Sequence, residues 1–534
     1  MSKELSSKGK KFLKRGRNGI LSLIFSRFGM IMLIFSIQFF TIVYFYNVLL
    51  RKFPLLFTFF YTLSVIVILM IINLHMEPTA KLTWFAVIAI FPIFGAILFL
   101  YTKFNFTNLR TRGRIERVNK ILAGILRKEK HAEKEFSNHD PQAARLAKYL
   151  FRQGEFPIYK KTRAEYFPSG ESQFEATIES LKKAKRFIFI ESFIVEEGKM
   201  WGEVLAVLKE KAERGLDVRV LYDGMCEFFL LPVSYPKYLE SLGIKCRIFS
   251  RIIPLLSVNY NYRDHRKLVV IDNKIAFTGG SNFADEYINE KERFGHWKDA
   301  GVMISGDAVK TFTLSFLEMW EMERKKYTEK SMSEFKKEAA HFLSHDSLGE
   351  DTEGYVLPFT DNPLDDNKIG ENVYLYLFNT AKNFLHITTP YLILDYEMEQ
   401  ALKFASERGI DVKIIVPGIP DKKIPYAIAY THYKNLLSSG VRIFEYTPGF
   451  IHQKCVLQDG DLAVIGTINL DYRSLYHHFE NAVLVHEGEF SRKMENDFLK
   501  TLEDCKEIRF NNLNTVSIFR RVIGSVAKIF APLM

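Results

Sequence analysis

The chain has 534 residues, more than one ordinary domain holds, and a net charge of +11. Nucleic acids and anionic membranes both attract a basic surface, so charge alone does not identify the partner. The four cysteines show neither CxxC nor Cys/His zinc spacing, which argues against a disulfide framework or a zinc module.

The first hundred residues are strongly apolar. After a basic tail at 1–27 come three uncharged stretches, 28–50, 55–74 and 84–101. Each has between 18 and 23 residues. Roughly 20 residues cross a bilayer as a helix. A cleaved signal peptide fits poorly, because the first stretch is too long and a second follows it at once. We therefore expect about three transmembrane helices in 28–101 and a multi-pass integral protein of a cell membrane.

Basic residues lie on both sides of this segment, eight before the first stretch and nine between residues 102 and 130. The positive-inside rule would place both flanks in the cytoplasm, which requires an even number of crossings. Three spans give an odd number, so the number of crossings and the side on which the rest of the chain lies stay open. Residues 102–150 are expected to form a basic juxtamembrane region near anionic headgroups.

Beyond residue 150 the sequence repeats itself. Residues 184–190 resemble 381–387, and residues 213–220 resemble 407–414, in the same order. Each unit alternates short apolar strands with helical stretches. This pattern predicts an α/β fold of two repeats, each a β-sheet flanked by helices and related by a pseudo-two-fold axis. The predicted domains are 151–330 and 371–510, with a linker at 331–370 between them and an amphipathic helix at 511–534 after them. For this last helix, packing on the core and lying on a membrane surface are both open.

Each repeat carries one His-x-Lys-x4-Asp motif, followed ten residues after the aspartate by an asparagine. The residues are His265, Lys267, Asp272 and Asn282 in the first repeat, and His452, Lys454, Asp459 and Asn469 in the second. Residues i and i+2 of a strand point to the same face, so the histidine and lysine of each motif project together. Two such hairpins would bring two imidazoles and two ammonium groups into one cleft. Both aspartates fall at predicted hairpin turns, which they are expected to hold.

This set of side chains suits a phosphodiester. One imidazole attacks phosphorus and the other protonates the leaving alkoxide, so the reaction passes through a phosphohistidine. The two lysines, with Asn282 and Asn469, can hold the non-bridging oxygens, and we therefore expect no catalytic metal and no cofactor. A nucleophilic histidine also needs an acceptor for its second ring nitrogen. Asp299 and Glu480, 34 and 28 residues after the histidine of their own repeat, are the candidates.

The duplicated motif resembles that of the phospholipase D superfamily. The segments 277–287 and 466–474, together with the apolar N-terminal region, resemble the bacterial cardiolipin synthases within it. The resemblance implies that two phosphatidylglycerol molecules condense to cardiolipin and glycerol, and that the six motif histidines, lysines and aspartates are catalytic. It also implies that His265 is the nucleophile and His452 the general acid. The partners would be phosphatidylglycerol and anionic membrane lipids, with no nucleic acid.

Other functions stay open from the residues alone. A hydrolytic phospholipase D, or a synthase of this type that uses another alcohol, would need the same side chains. A nuclease of the superfamily would not need transmembrane helices, and a non-catalytic membrane scaffold would not need two complete motifs. The choice of acceptor depends on the shape of the pocket, which no motif encodes.

Overall fold

The structure is a computed structural model in two compact units, Met1–Phe104 and Asn105–Met534. It describes residues 51–534, together with residues 40, 43, 44, 47 and 48. The exceptions within that range are 104–105, 127–130, 253–261, 325–327, 345–351, 353, 366, 514–516 and 534. The basic tail and most of the first predicted span, 28–50, lie outside the described residues.

Three helices of the first unit lie wholly within the described residues: α1 Pro54–Asn73, α2 Pro78–Ile90 and α3 Pro92–Lys103. Helix α1 has 20 residues with a mean hydropathy of 2.7, and it is long and apolar enough to cross a membrane. It coincides with the second predicted span, 55–74. Helices α2 and α3 have 13 and 12 residues. At 1.5 Å per residue each is only about 20 Å long, short of the roughly 30 Å hydrocarbon core.

The third predicted span, 84–101, is not one helix. The ring centroids of Trp84 and Phe99 lie 5.2 Å apart, whereas a continuous helix would separate these positions by about 22 Å. The chain therefore folds back on itself at Phe91, where Pro92 disfavours helical backbone in the preceding residue and begins a new helix. The Ser64 hydroxyl, near the middle of α1, donates a hydrogen bond of 2.5 Å to the Pro92 carbonyl. The turn of this hairpin thus lies beside the middle of α1.

Three helices open the second unit: α4 Phe106–Leu126, α5 His131–His139 and α6 Pro141–Gly154. Their apolar side chains are buried, among them Val118, Leu122, Phe136 and Leu150. The segment 102–150, predicted as a juxtamembrane region, is therefore in large part a layer of the globular unit. Arg117, Lys120, Arg145 and Lys148 are exposed on helices whose apolar faces pack on the core.

The first repeat is one mixed β-sheet with helices between its strands. Its strands are β1 Thr162–Phe167, β2 Phe187–Ser192, β3 Asp217–Asp223, β4 Lys245–Phe249, β5 Arg263–Asp264, β6 Lys267–Ile271, β7 Ile275–Gly279, β8 His296–Lys298 and β9 Gly301–Gly306. Its helices are α7 Gly170–Lys183, α8 Lys199–Glu213, α9 Met225–Phe229, α10 Tyr235–Ser241 and α11 Val309–Met322. Seven strands form the sheet in the order β1-β9-β7-β6-β2-β3-β4, with β2, β3 and β4 parallel.

The second repeat has the same architecture. Its strands are β10 Tyr355–Asp361, β11 Phe384–Thr388, β12 Asp411–Pro417, β13 Arg442–Tyr446, β14 Gly449–Ile451, β15 Cys455–Gln458, β16 Leu462–Gly466, β17 His478–His486 and β18 Cys505–Ile508. The helices from here to the end are α12 Glu329–Leu343, α13 Ile369–Thr380, α14 Tyr396–Glu407, α15 Lys423–Ser438, α16 Tyr472–Tyr476, α17 Gly488–Glu503, α18 Phe510–Leu513 and α19 Ile518–Phe530. The strand order β10-β17-β16-β15-β11-β12-β13 matches that of the first sheet, and β18 extends it.

This topology confirms the α/β fold and its internal duplication. It also corrects the predicted start of the second repeat. Residues 331–370, predicted as a linker, contain most of α12 and all of β10, the edge strand of the second sheet. The second repeat therefore begins at Tyr355, before the predicted boundary at residue 371. Side chains of both repeats share one core, in which Val270 and Val302 meet Leu457 and Val483.

The motif aspartates hold the hairpins β6–β7 and β15–β16 at the ends opposite the lysines. Both adopt left-handed backbone, with φ of 56° at Asp272 and 55° at Asp459. Each carboxylate accepts three backbone N–H groups at the start of the neighbouring strand, β2 or β11: Lys185 (2.7 Å), Arg186 (2.8 Å) and Phe187 (2.9 Å) for Asp272, and Lys382 (2.9 Å), Asn383 (2.7 Å) and Phe384 (3.0 Å) for Asp459. Neither aspartate lies beside a motif histidine, so their assignment as catalytic residues is corrected to a structural one.

Replacing Asp459 with Ala should lower the free energy of unfolding by about 3 kcal/mol, because three N–H groups lose a charged acceptor. The midpoint of thermal unfolding of the purified protein in detergent should fall by a few degrees. Asp461→Ala, an exposed aspartate of the same turn, is the matched control and should not change the midpoint. Equal midpoints for the two variants would contradict the anchoring role.

Candidate active site

Two short strand pairs join the repeats around the motif histidines. Strand β5, which precedes His265, pairs in parallel with the start of β17 in the second repeat. Strand β14, which precedes His452, pairs in parallel with β8 in the first repeat. The ladders continue into the histidines, whose backbone N–H groups donate to the carbonyls of Phe479 (3.0 Å) and Lys298 (2.7 Å). Each histidine is therefore held by a strand of the opposite repeat.

These pairings place each histidine beside a carboxylate of the other repeat. Nδ1 of His265 lies 2.9 Å from Oε1 of Glu480, and Nδ1 of His452 lies 2.9 Å from Oδ2 of Asp299. The two predicted acceptors thus bind histidines, but the expected pairing within one repeat is wrong. The reason is the register, because β17 carries Glu480 next to the residue that faces the end of β5. Since both carboxylates occupy Nδ1, both histidines keep Nε2 for a substrate.

The motif lysines complete the site in the same symmetric way. The ammonium of Lys267 donates to the His265 carbonyl at 2.7 Å, and that of Lys454 donates to the His452 carbonyl at 2.5 Å. Both lysines and both histidines are at most 7% exposed. The structure therefore brings the four motif side chains together in a largely dehydrated setting, where Coulomb interactions are strong.

Burial and mutual repulsion set the charge state of this cluster. Burial, reinforced by the two ammonium groups, holds the pKa of both histidines well below its usual value. Burial also lowers the pKa of Lys267 to about 8 and that of Lys454 to about 7. It raises the pKa of Asp299 to about 6, although Lys454 opposes the shift. At neutral pH both imidazoles are thus uncharged, as a nucleophile must be.

The residue two positions before the motif asparagine differs between the repeats. A Cβ added at Gly280 would lie 2.0 Å from Oδ1 of Asp299, so only glycine fits beside this carboxylate. The equivalent residue in the second repeat is Thr467, whose hydroxyl donates to Glu480. Glu480 therefore accepts from a hydroxyl at the place where Asp299 faces a glycine, and the two halves of the site are not chemically identical.

The two motif asparagines lie near the site but differ in their hydrogen-bond partners. The side chain of Asn282 accepts the Ile194 N–H at 3.0 Å and donates to the Tyr287 hydroxyl at 2.7 Å. Asn469 is 4% exposed, and its Oδ1 has no partner within hydrogen-bond distance in the described part of the chain. Asn282 thus has a demonstrated structural contact, and phosphate binding by either asparagine stays a prediction.

Sequence reasoning missed His478. Its ring centroid lies 5.2 Å from that of His265, and its Nδ1 is 3.6 Å from Glu480, longer than a hydrogen bond. Burial lowers its pKa to about 3, so it is neutral. The signal was available, since His478 stands two residues before Glu480 on a strand and shares its face. Trp297 holds the equivalent place before Asp299, with its ring centroid 5.3 Å from that of His452.

His265, His478 and Glu480 also lie close enough together that they could share a metal ion. Two ammonium groups lie close enough to depress the pKa of His265, and they would repel a cation in this position. Glu480 already accepts hydrogen bonds from His265 and Thr467. The charges of the site thus suit an anion better than a metal ion.

Comparisons with known proteins agree with this geometry. A family described as the PLD-like domain of cardiolipin synthase matches residues 177–320 and 374–502, and a phospholipase D-nuclease N-terminal family matches residues 62–102. An uncharacterized protein of Streptococcus mutans is 46% identical, covering 88% of this chain and 99% of its own. A cardiolipin synthase of Halalkalibacterium halodurans is 32% identical, covering 89% of this chain and 93% of its own.

One solved structure shares the fold. The phosphatidylserine synthase of Haemophilus influenzae superposes with a TM-score of 0.51 and 16% identity, covering 69% of this chain and 93% of its own. At that identity the likeness concerns the fold alone.

The depressed lysine pKa values predict a pH-dependent anion site. Lys454 and Lys267, with pKa values of about 7 and about 8, lose their charge as the pH rises. Binding of tungstate, which takes up no proton in this range, should weaken by at least on the order of tenfold between about pH 6 and about pH 9. Titration calorimetry of the purified protein measures this affinity.

Lys454→Met should bind tungstate weakly throughout and with a flatter pH profile. Lys209→Met, at an exposed lysine of α8, is the matched control and should retain the full pH dependence. A wild-type affinity that does not change with pH would contradict the assigned charge state.

Proposed function

The chain belongs to the family of cardiolipin synthases with PLD-like domains, and we propose that it transfers a phosphatidyl group from one phosphatidylglycerol to a second, giving cardiolipin and glycerol. The observation that supports this most is the pair of crossed histidine–carboxylate contacts with a lysine beside each histidine. The proposal makes the protein a phosphatidyltransferase whose substrates are anionic membrane lipids.

In the first step Nε2 of His265 attacks the phosphorus of phosphatidylglycerol. A phosphorus–nitrogen bond forms, the bond from phosphorus to the headgroup glycerol oxygen breaks, and His452 gives its proton to that oxygen. Lys267 and Lys454 neutralise the non-bridging oxygens as their charge grows. Glycerol leaves, and the phosphatidyl group stays on His265.

In the second step the incoming phosphatidylglycerol supplies a primary hydroxyl. His452, now neutral, takes the hydroxyl proton, and the oxygen attacks phosphorus while the phosphorus–nitrogen bond breaks. The product is cardiolipin, His265 is free again, and His452 is again protonated. The proton and the phosphoryl group are both accounted for over the cycle.

Asp299 and Glu480 act as positioning residues in this scheme. Each accepts from Nδ1 at 2.9 Å and so fixes the ring with Nε2 toward the substrate. Each also stabilises the positive charge that its histidine carries when it is protonated or phosphorylated. Substrate binding assists, because the anionic phosphodiester offsets the ammonium charges that depress the histidine pKa.

For the N-terminal region, the sequence prediction at 28–50 and the helices that the structure describes combine into one topology. We propose that residues 28–50 and α1 cross the membrane, and that α2 and α3 form a re-entrant hairpin that does not. The contact between Ser64 and Pro92, at the middle of α1, supports a hairpin that reaches only half-way. Two crossings leave both basic flanks on one side, as the positive-inside rule requires.

Purified full-length protein, given pure phosphatidylglycerol in excess EDTA, should form cardiolipin and glycerol in equal amounts. The lysines supply the positive charge, so chelation should not reduce the rate. Lipid mass spectrometry and a glycerol assay measure both products. Phosphatidic acid as the main product would favour hydrolysis. Loss of activity restored by one divalent ion would instead place a metal at the His265–His478–Glu480 group. His341→Ala, at an exposed histidine of α12, should retain full activity and is the matched control for the histidine variants described next.

The roles of the two histidines predict different adducts. With His452→Ala, attack on a p-nitrophenyl phosphodiester can still occur, because that leaving group needs no proton. The adduct on His265 should then accumulate, since deprotonation of the acceptor is slow. With His265→Ala no adduct should form on any substrate, and the rates of both variants should be lower by several orders of magnitude.

Trapping at low temperature followed by peptide mass spectrometry locates the adduct. Glu480→Gln should slow formation of the adduct, whereas Asp299→Asn should slow its breakdown, because each carboxylate serves the histidine of the other repeat. An adduct on His452 in the His265→Ala protein would reverse the assignment, and no adduct in any variant would favour direct displacement.

A further inference from the structure

The C-terminal helix α19 presents an apolar face to solvent. Six large apolar side chains on it are between 39% and 79% exposed: Ile518, Phe519, Val522, Val526, Ile529 and Phe530. At 100° per residue these positions fall within about 120° of one another on the helix. A contiguous apolar face of this kind marks an interaction site on a protein surface.

The opposite face of α19 is packed tightly against the catalytic unit. A Cβ added at Gly524 would lie 2.3 Å from the Ala427 carbonyl of α15, so the two helices cross at close contact. At the end of α19, Ala531 is buried with Tyr472 and Ile428. The helix is therefore fixed to the protein by one face, and its apolar face is directed outward by that packing.

The charge on α19 is purely basic. Its 13 residues include Arg520, Arg521 and Lys528 and no acidic residue. The Arg520 guanidinium stacks on Tyr426 and Tyr430, whereas Arg521 is exposed at the edge of the apolar face. An apolar face bordered by cations fits an anionic lipid surface, where each basic residue contributes about 1 kcal/mol.

Exposed apolar residues also follow the same parallel strand in each repeat. After β3, Phe229 and Val233 are 60% and 63% exposed, and after β12, Ile419 and Ile424 are 41% and 47% exposed. The carboxyl ends of parallel strands lie on the side where ligands bind in α/β folds. Here Phe193, just after β2, contacts His265 with ring centroids 5.0 Å apart. The apolar residues thus belong to the side of the sheets on which the histidines lie.

Helix α19 is linked to that same side. His477, the residue before His478, has its Nε2 3.0 Å from the Pro532 carbonyl. The helix carrying the apolar face therefore ends on the segment that leads into Glu480 and the active site.

We propose that α19, together with the apolar residues after β3 and β12, docks the catalytic unit on a bilayer of anionic phospholipid and presents the site to its lipid substrate. This inference rests on the proposed function. The motif histidines are each only 7% exposed, and the substrate that must reach them has acyl chains that stay in the bilayer. The apolar face lies in the acyl region and Arg521 among the headgroups.

The first test locates α19 in a membrane. Full-length protein carrying Cys246→Ser, Cys505→Ser and Val522→Cys is labelled with a polarity-sensitive fluorophore and placed in vesicles of equal parts phosphatidylglycerol and phosphatidylcholine. The emission should shift to the blue, and lipids with a spin label on the acyl chain should quench it. Leu499→Cys, an apolar residue of α17 that is 43% exposed, is the matched control and should not be quenched.

Equal quenching at residues 522 and 499, or none at 522, would overturn the proposal. Shielding of the label at 522 in detergent, with a dimer whose amount rises with concentration, would assign the face to a second copy of the chain and would overturn it too.

The second test separates docking from chemistry. Val522→Gln with Val526→Gln should reduce transfer from phosphatidylglycerol vesicles by on the order of tenfold, and leave the rate on short-chain, monomeric phosphatidylglycerol unchanged. Leu499→Gln should affect neither rate. Equal loss on both substrates, or no loss on vesicles, would contradict docking. If the wild type makes no cardiolipin from either substrate, the proposed function fails, while the fluorescence result still decides whether α19 enters the bilayer.

Discussion

Two short parallel strand pairs between the repeats determine the active site. The pairing of β5 with β17 sets His265 opposite Glu480, and the pairing of β14 with β8 sets His452 opposite Asp299. Neither repeat holds a complete histidine–carboxylate pair, so neither is a functional unit alone. The shared core keeps the two sheets in a fixed relation. This is necessary because any shift between them would separate both histidine–carboxylate pairs at once.

The two halves of the duplicated site are not identical, which permits different roles for the two histidines. Glu480 accepts from Thr467, whereas Asp299 abuts Gly280, where no side chain fits. The imidazole of His478 lies beside His265 at the place where the indole of Trp297 lies beside His452. The two histidines thus have different neighbours. Such a difference allows one histidine to hold a covalent phosphoryl group while the other carries the proton.

The repeat, the hairpins and the common face of each histidine and lysine could be predicted because they depend on local spacing. The crossed pairing could not, since strands of two and three residues leave no periodic signal and their partners are distant in the chain. The boundary at residue 371 was misplaced because β10, with its Pro358, lies in a polar stretch. The span at 84–101 was predicted wrongly because the mean hydropathy of the whole stretch gives no sign of the turn at Pro92.

The charges of the site connect binding with catalysis. Burial and the two ammonium groups lower the pKa of both imidazoles. In the proposed mechanism this makes His265 a free base but deprives His452 of the proton that it would donate. A phosphodiester anion between the lysines reverses this effect, because its charge raises the pKa of every cation nearby. In the proposed mechanism the proton on His452 is thus most stable when the phosphodiester is bound. A lipid without a phosphodiester would lack this effect, so in the proposed mechanism the phosphodiester itself brings the general acid to its protonated form.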